Sequence, residues 1–437
     1  MLILASVTGA MAANDVTYYD GSALTGCNSE GIYLVSDYDG NQVQAFKAQS
    51  GDLIGSVLPS NGSYNLTNPD IFGPLGVSNT AVSGPNGIVI YNEVLYLVNQ
   101  NIGTNYNGSV MAFAVPDGIK FGKVEASQLP FQRLFPDPID VFAKYSPYAP
   151  RGLVIGGTGP ALFVADAGPA GGFAGQVIVI SPTPPYTFIG TVSTAGIPAA
   201  YDFSNALLGI GPQGLVIGPE DGLLYVTIKS FRGFSDFDNN FGAILRFDIS
   251  ILPGTFKDIF ATTMGATDCS QFLHRPEGIT WGPAKGLYKE KLLYVTGYTD
   301  VEQNTPSVNK EALGANDKIL MYTPAGKCVD YFITEQADVL AQGLRTQTVA
   351  PIFGPKGDLY IPVSSIVNGP AANNFTGGYR KYTVPNANLF KQTAINNHTL
   401  DFETIVRPNL VGGPLAAPFY STFGRSDPGT LEYLCLV

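Results

Sequence analysis

Short apolar runs, each closed by Gly, Pro or a polar turn, follow one another along this chain. In PNGIVIYNEVLYLVNQ, residues 85–100, a Pro and a Gly precede one run, a polar turn follows, and a second run is built on Leu-Tyr-Leu-Val. Runs this short, rich in β-branched and aromatic residues and bounded by turn formers, predict antiparallel strands. The phrase returns as PRGLVIGGTGPALFVADAG from 150, PQGLVIGPEDGLLYVTIKS from 212, RPEGITWGPAKGLYKEKLLYVTGYTD from 275 and VAPIFGPKGDLYIPVSS from 349. Fainter copies are GSALTGCNSEGIYLVSDYDG from 21 and APFYSTFGRSDPGTLEYLCLV from 417. An aromatic marker falls at Tyr33, Tyr96, Phe163, Tyr225, Tyr294, Tyr360 and Tyr433, in steps of 63, 67, 62, 69, 66 and 73 residues.

Each period holds four such runs; the fourth period gives GLVIG, LLYVTI, GAILRFDI and GTFKDIFAT. Four-stranded units repeating at this spacing predict an all-β fold, a single β-propeller of four-stranded blades. One small twisted sheet cannot bury both faces alone, whereas blades packed face to face bury a continuous apolar core. Seven markers favour seven blades, with six as the alternative. Residues 1–13, MLILASVTGAMAA, are either a signal peptide or a closing strand, and 14–437 form the propeller. Pro362 interrupts a predicted second strand, where only a bulge accommodates it.

Two families share these residues. GIYLVSDYDGNQVQAFKAQSGDLIG resembles an NHL repeat, and LYVTIKS and LYVTGYTD resemble the repeats of YVTN-type propellers, which occur in cell-surface proteins. The PNGI phrase resembles propeller lactonases of the gluconolactonase type. That resemblance implies one divalent cation at the channel mouth, held by oxygen and amide ligands. Only Asn86 and Glu277 are of a matching type.

Composition sharpens the class. Gly occupies 51 positions, Pro 32, and charged residues only 14%, which favours turns and strands over solvated helices. A net charge of -11 with 24 scattered Lys and Arg argues against nucleic acid, whose phosphates need clustered cations. No apolar stretch reaches the roughly 18 to 20 residues that span a bilayer. Cys27, Cys269, Cys328 and Cys435 lie far apart without a C-x-x-C pair, which favours disulfides in an oxidising compartment. Cys27 with Cys435 would pin the first blade to the last, and Cys269 with Cys328 would brace one blade, although three connectivities remain open. Sequons at Asn61, Asn65, Asn107, Asn374 and Asn397 fit N-glycosylation of a secreted protein. First-to-second turns such as GPEDG and GPKGD are tight and the other connections long, so one face is plain and the other elaborated, and Asn61, Asn65, Asn107 and Asn374 fall in those long connections.

Candidate chemistry is sparse. The residue before each innermost strand's Gly is expected to ring the channel mouth: Asn86, Arg151, Gln213 and Glu277, with His274 just upstream. Polar caps on strand ends are the plainer account of this set, a cation site the sharper one. SDFDNN offers Asp236, Asp238 and Asn239 as Ca²⁺ ligands but lacks the rest of an EF-hand loop. Two histidines are too few for a three-His zinc site. GIGPQG at 209–214 leads into a strand, so no helix awaits a pyrophosphate there. No G-x-S-x-G elbow is present, and Trp281 sits at a packing position of the repeat. No cofactor is required, with Ca²⁺ the one alternative. The expectation is a secreted, cell-surface or extracellular binding or structural module with a protein or glycan partner, or copies of itself in a filament. A metal-dependent lactonase is the alternative.

Overall fold

In the computed structural model, residues 31–38, 40, 42–58, 84–100, 108–116, 149–157, 159–168, 174–183, 186–230, 241–282, 291–297, 318–334, 344–354, 357–367, 376–382, 400, 402–406, 414–416 and 418–423 are described. Their strands form six antiparallel sheets. The first holds β1 (Ile32–Asp37), β2 (Gln42–Lys47) and β3 (Leu53–Leu58). The second holds β4 (Pro85–Tyr91), β5 (Val94–Asn99) and β6 (Ser109–Ala114), and the third β7 (Pro150–Gly156), β8 (Ala161–Asp166), β9 (Gln176–Ile180) and β10 (Phe188–Thr191). The fourth holds β11 (Ile210–Ile217), β12 (Leu224–Ser230), β13 (Gly242–Asp248) and β14 (Thr255–Thr262). The fifth holds β15 (Ile279–Trp281), β16 (Leu293–Gly297), β17 (Lys318–Tyr322) and β18 (Cys328–Ile333). In the sixth, β19 (Leu344–Thr348) and β20 (Ile352–Phe353) both pair β21 (Leu359–Val367), followed by β22 (Thr376–Tyr382) and β23 (Phe402–Val406). The last strand, β24 (Pro418–Phe423), returns to the first sheet and pairs β1.

The protein is therefore a six-bladed β-propeller, not the seven-bladed one that the markers favour. The two faint copies are halves of one blade. The C-terminal half supplies the innermost strand, β24, and the N-terminal half the other three, with Tyr33 opposite Phe423. Counting markers counts that blade twice. The tail run LEYLCLV and residues 1–13 lie outside the described residues.

Six hydrophobic clusters occupy the six seams between neighbouring blades. One, for example, joins the second sheet to the third through Tyr96, Val98, Leu153 and Val164. Another closes the circle between the sixth and first through Tyr33, Tyr360, Tyr379 and Phe423. Alternating side chains on each strand thus feed two seams, one on either face, as the period-2 pattern requires. Because both faces are covered, β1, β8, β11 and β12 are buried along their whole length.

Pro362 finds its place in the sixth blade. Pairing to β21 runs from Thr348 opposite Val363, then resumes with Ile352 opposite Tyr360, so Pro362 lies at the break between two inner strands. The ladder needs no N–H there on that side. Cys269 and Cys328 form a disulfide across a separation of 59 residues. It ties the connection entering the fifth blade to that blade's outermost strand. In the chain-entropy model a loop of this length contributes about 4 kcal/mol. Cys27 and Cys435 lie outside the described residues.

Candidate functional site at the channel mouth

The recurrent Pro-x-Gly step shapes the hub. After each of Pro85, Pro150 and Pro212 the register to the second strand shifts, bulging the inner strand as it begins. The following Gly then lies against the backbone of the next blade. A Cβ on Gly87 would sit 2.5 Å from the Arg151 carbonyl oxygen and 2.7 Å from the Leu153 nitrogen. Likewise Gly152 meets the Gln213 carbonyl, Gly214 the Glu277 carbonyl and Gly278 the Val349 carbonyl. At these four positions only a residue without a side chain permits the approach, which is why the phrase keeps its Gly there.

Hydroxyls lock two of these contacts. Thr227 Oγ1 accepts from the Gly214 N–H at 2.8 Å and donates to the Glu277 carbonyl at 3.2 Å. Thr296 Oγ1 accepts from the Gly278 N–H at 2.7 Å and donates to the Val349 carbonyl at 2.8 Å. Carboxylates serve other blades. Asp166 accepts from the Ala149 N–H at 2.7 Å and from Gln176 Nε2 at 3.0 Å. Asp37 accepts from the Ala416 N–H at 3.0 Å and from Gln42 Nε2 at 3.3 Å.

The predicted mouth residues come to the start of four consecutive inner strands, in different surroundings. Asn86 is fully buried and donates through Nδ2 to Gln100 Oε1 at 3.2 Å and the Pro150 carbonyl at 3.4 Å. Gln213 donates to the Pro212 carbonyl at 2.7 Å. Glu277 is ion-paired with Lys229 of the preceding blade, both side chains buried. His274 is buried, and the loss of water pulls its pKa down to about 4. Arg151 is half-buried, and its Nε has no hydrogen-bond partner.

Sequence reasoning missed Lys229, whose signal is a lone charge inside the apolar run LYVTIKS. Val349 fills the mouth position in the sixth blade as its copy of the phrase implies, but the first blade's is Phe419 and not Gly21, which lies outside the described residues; Tyr420, which stands where four blades have Gly, was also missed. Phe419 stacks on Tyr38 with ring centroids 4.6 Å apart. Asp236, Asp238, Asn239 and the five sequon asparagines lie outside the described residues.

The cavity at the hub measures about 60 Å³ and is lined by Gly152, Gly214, Thr280, Ala350, Tyr420 and Ser421 among others. Sites for drug-sized ligands run to roughly 300–1,000 Å³. Among the described residues this cavity has room for a few waters. Among the described residues no group of three or more His, Cys, Asp or Glu is placed to hold a metal ion. No helix among them is long and apolar enough to cross a membrane.

No protein-family model matches the chain, and no curated sequence matches it significantly. Solved propeller-like structures resemble it at low identity. The periplasmic gluconolactonase of Pseudomonas aeruginosa is 12% identical with a TM-score of 0.44, over 90% of this chain and 98% of that one. A luciferin-regenerating enzyme is 10% identical with a TM-score of 0.44, over 82% and 88%. An exo-β-1,3-galactanase of Clostridium thermocellum is 11% identical with a TM-score of 0.43, over 89% and 68%. Identities this low carry no activity across.

Proposed function

We propose that this protein is a secreted, N-glycosylated β-propeller that acts as an extracellular binding or structural module, presenting its loop-bearing face to a protein or glycan partner or to further copies of itself. One observation carries this reading. Two polar side chains at the channel mouth, those of the types that could hold a cation, are engaged in holding blades together: Asn86 on the third blade's Pro150 carbonyl and Glu277 on the fourth blade's Lys229. A carboxylate already neutralised by a buried ammonium is a poor cation ligand, and a catalytic mouth needs groups free to meet substrate. The disulfide and the sequons support an oxidising, secretory route.

The test is made on chain secreted from a eukaryotic host. Intact mass before and after glycosidase treatment is expected to show sugar at one or more of Asn61, Asn65, Asn107, Asn374 and Asn397. Elemental analysis is expected to find no stoichiometric Ca²⁺ or Zn²⁺. A stoichiometric metal that is lost in Glu277→Gln or Asn86→Ala, together with hydrolysis of a sugar lactone by the unmutated protein, would overturn the reading in favour of a lactonase.

A further inference from the structure

Strand register changes in a regular way from hub to rim. Between the second and third strands it is unbroken in all six blades: β1 with β2, β5 with β6, β8 with β9, β12 with β13, β16 with β17 and β21 with β22. Between the third strand and the outermost it is broken in each of the five blades whose outermost strand is described. The surplus residue sits on the outer strand each time, as with Val57 on β3, Ile189 on β10, Lys257 on β14, Val329 on β18 and Ile405 on β23. These are β-bulges, and three of them send an extra apolar side chain inward. Val57 is buried between the first and second blades, and Val329 and Ile405 pack against the seams on either side of the sixth.

An outermost strand carries a row of N–H and C=O groups that a strand from another chain can pair with. A bulge bends the strand, increases its twist and breaks the even spacing of that row. Two of the edges are blunted further. β10 is only four residues long. At the start of β14 the edge is occupied, because Ser193 of the third blade bridges Thr255 in parallel and its N–H donates to the Gly254 carbonyl at 2.9 Å. We infer that these five rim edges accept no added strand, whether from a peptide partner or from a second copy, so that recognition and assembly fall to the two faces of the wheel. This closure takes its functional meaning from the reading of the protein as a binding or structural module, on which it rests, and narrows how such a module binds. Loops and turns make the contacts in place of main-chain pairing, and copies that assemble do so face on face instead of sheet edge to sheet edge.

A strand-forming peptide offered to the full secreted chain tests this. The probe is a fluorescein-labelled copy of GTFKDIFAT, residues 254–262, followed by anisotropy up to the solubility limit of the peptide. No saturable rise is expected, and hydrogen exchange of the β3, β10, β14, β18 and β23 amides is expected to stay the same with peptide and with increasing protein concentration. Deletion of Val329 removes the surplus residue from β18, where Met321 faces Asp330 and Tyr322 faces Cys328. That variant is expected to capture the peptide, or to pass from monomer to dimer mass in sedimentation as its concentration rises. Should it not fold, deletion of Lys257, whose side chain is exposed, makes the same test on β14. Saturable capture by the unmutated chain with protection of an outer strand would overturn the closure, and so would a folded deletion variant as inert as the unmutated chain. Either result leaves glycosylation and metal content, by which the proposed function is judged, unchanged.

Discussion

The seam between the fourth and fifth blades and the seam between the sixth and first do the same work with different chemistry. The former is polar and close: Gly214 lies against the Glu277 carbonyl, Thr227 bridges the same two blades, and Lys229 meets Glu277. A disulfide braces the fifth blade beside it. The latter is aromatic. Tyr33 packs on Tyr360 at 5.3 Å, Tyr379 at 4.6 Å and Phe423 at 5.2 Å, and donates to Ser421 Oγ at 2.7 Å. One seam joins blades that are consecutive in sequence, so backbone contacts find each other cheaply. The other joins the two ends of the chain, where loop closure is costliest, and large buried rings supply apolar area that needs no exact partner.

The sharpest way to break this contrast is to spoil the close seams. Gly278→Val is expected to abolish folding, because its side chain would overlap the Val349 carbonyl, Ala350 and Pro351; soluble yield and circular dichroism measure this. At the aromatic seam Phe423→Ala, which removes a ring 5.1 Å from Tyr360, is expected to cost about 3–5 kcal/mol in urea unfolding while leaving the fold recognisable. If Phe423→Ala were the more severe of the two, the contrast would be wrong.

Acid separates the regions next. The folded-state pKa of His274, about 4, lies below the ordinary 6.5, so the fold favours neutral imidazole. Its contribution is complete above about pH 6.5 and is lost as pH falls towards 4, about 3 kcal/mol in all. His274→Gln is expected to flatten that part of the stability curve; a curve as steep as the unmutated protein's would refute it. Smallest is Thr296→Val, which keeps the shape but deprives the Gly278 N–H and the Val349 carbonyl of a partner. About 1–2 kcal/mol is expected, read as a lowered urea midpoint at unchanged slope.

Much of this was legible in the sequence because it is local. The Pro-x-Gly steps at Pro85, Pro150, Pro212 and Pro276 marked the starts of inner strands, and each Tyr or Phe marker from 33 to 360 lies buried on a second strand. The blade number was not legible, since nothing in the letters says that the first and last copies are complementary halves. The mouth residues were found by their place in the repeat, but not their partners. Lys229 and Glu277 are 48 residues apart and meet only because the blades curl into a ring. Tyr420 escaped notice because it breaks the repeat instead of keeping it.

Because β24 completes the blade that β1 begins, the inner edge of β1 has no partner until the chain has been synthesised past residue 423. A ribosome carrying the first five blades displays an open arc with one raw edge for as long as the remaining residues take to emerge. Closing the circle is therefore the last strand pairing open to the growing chain.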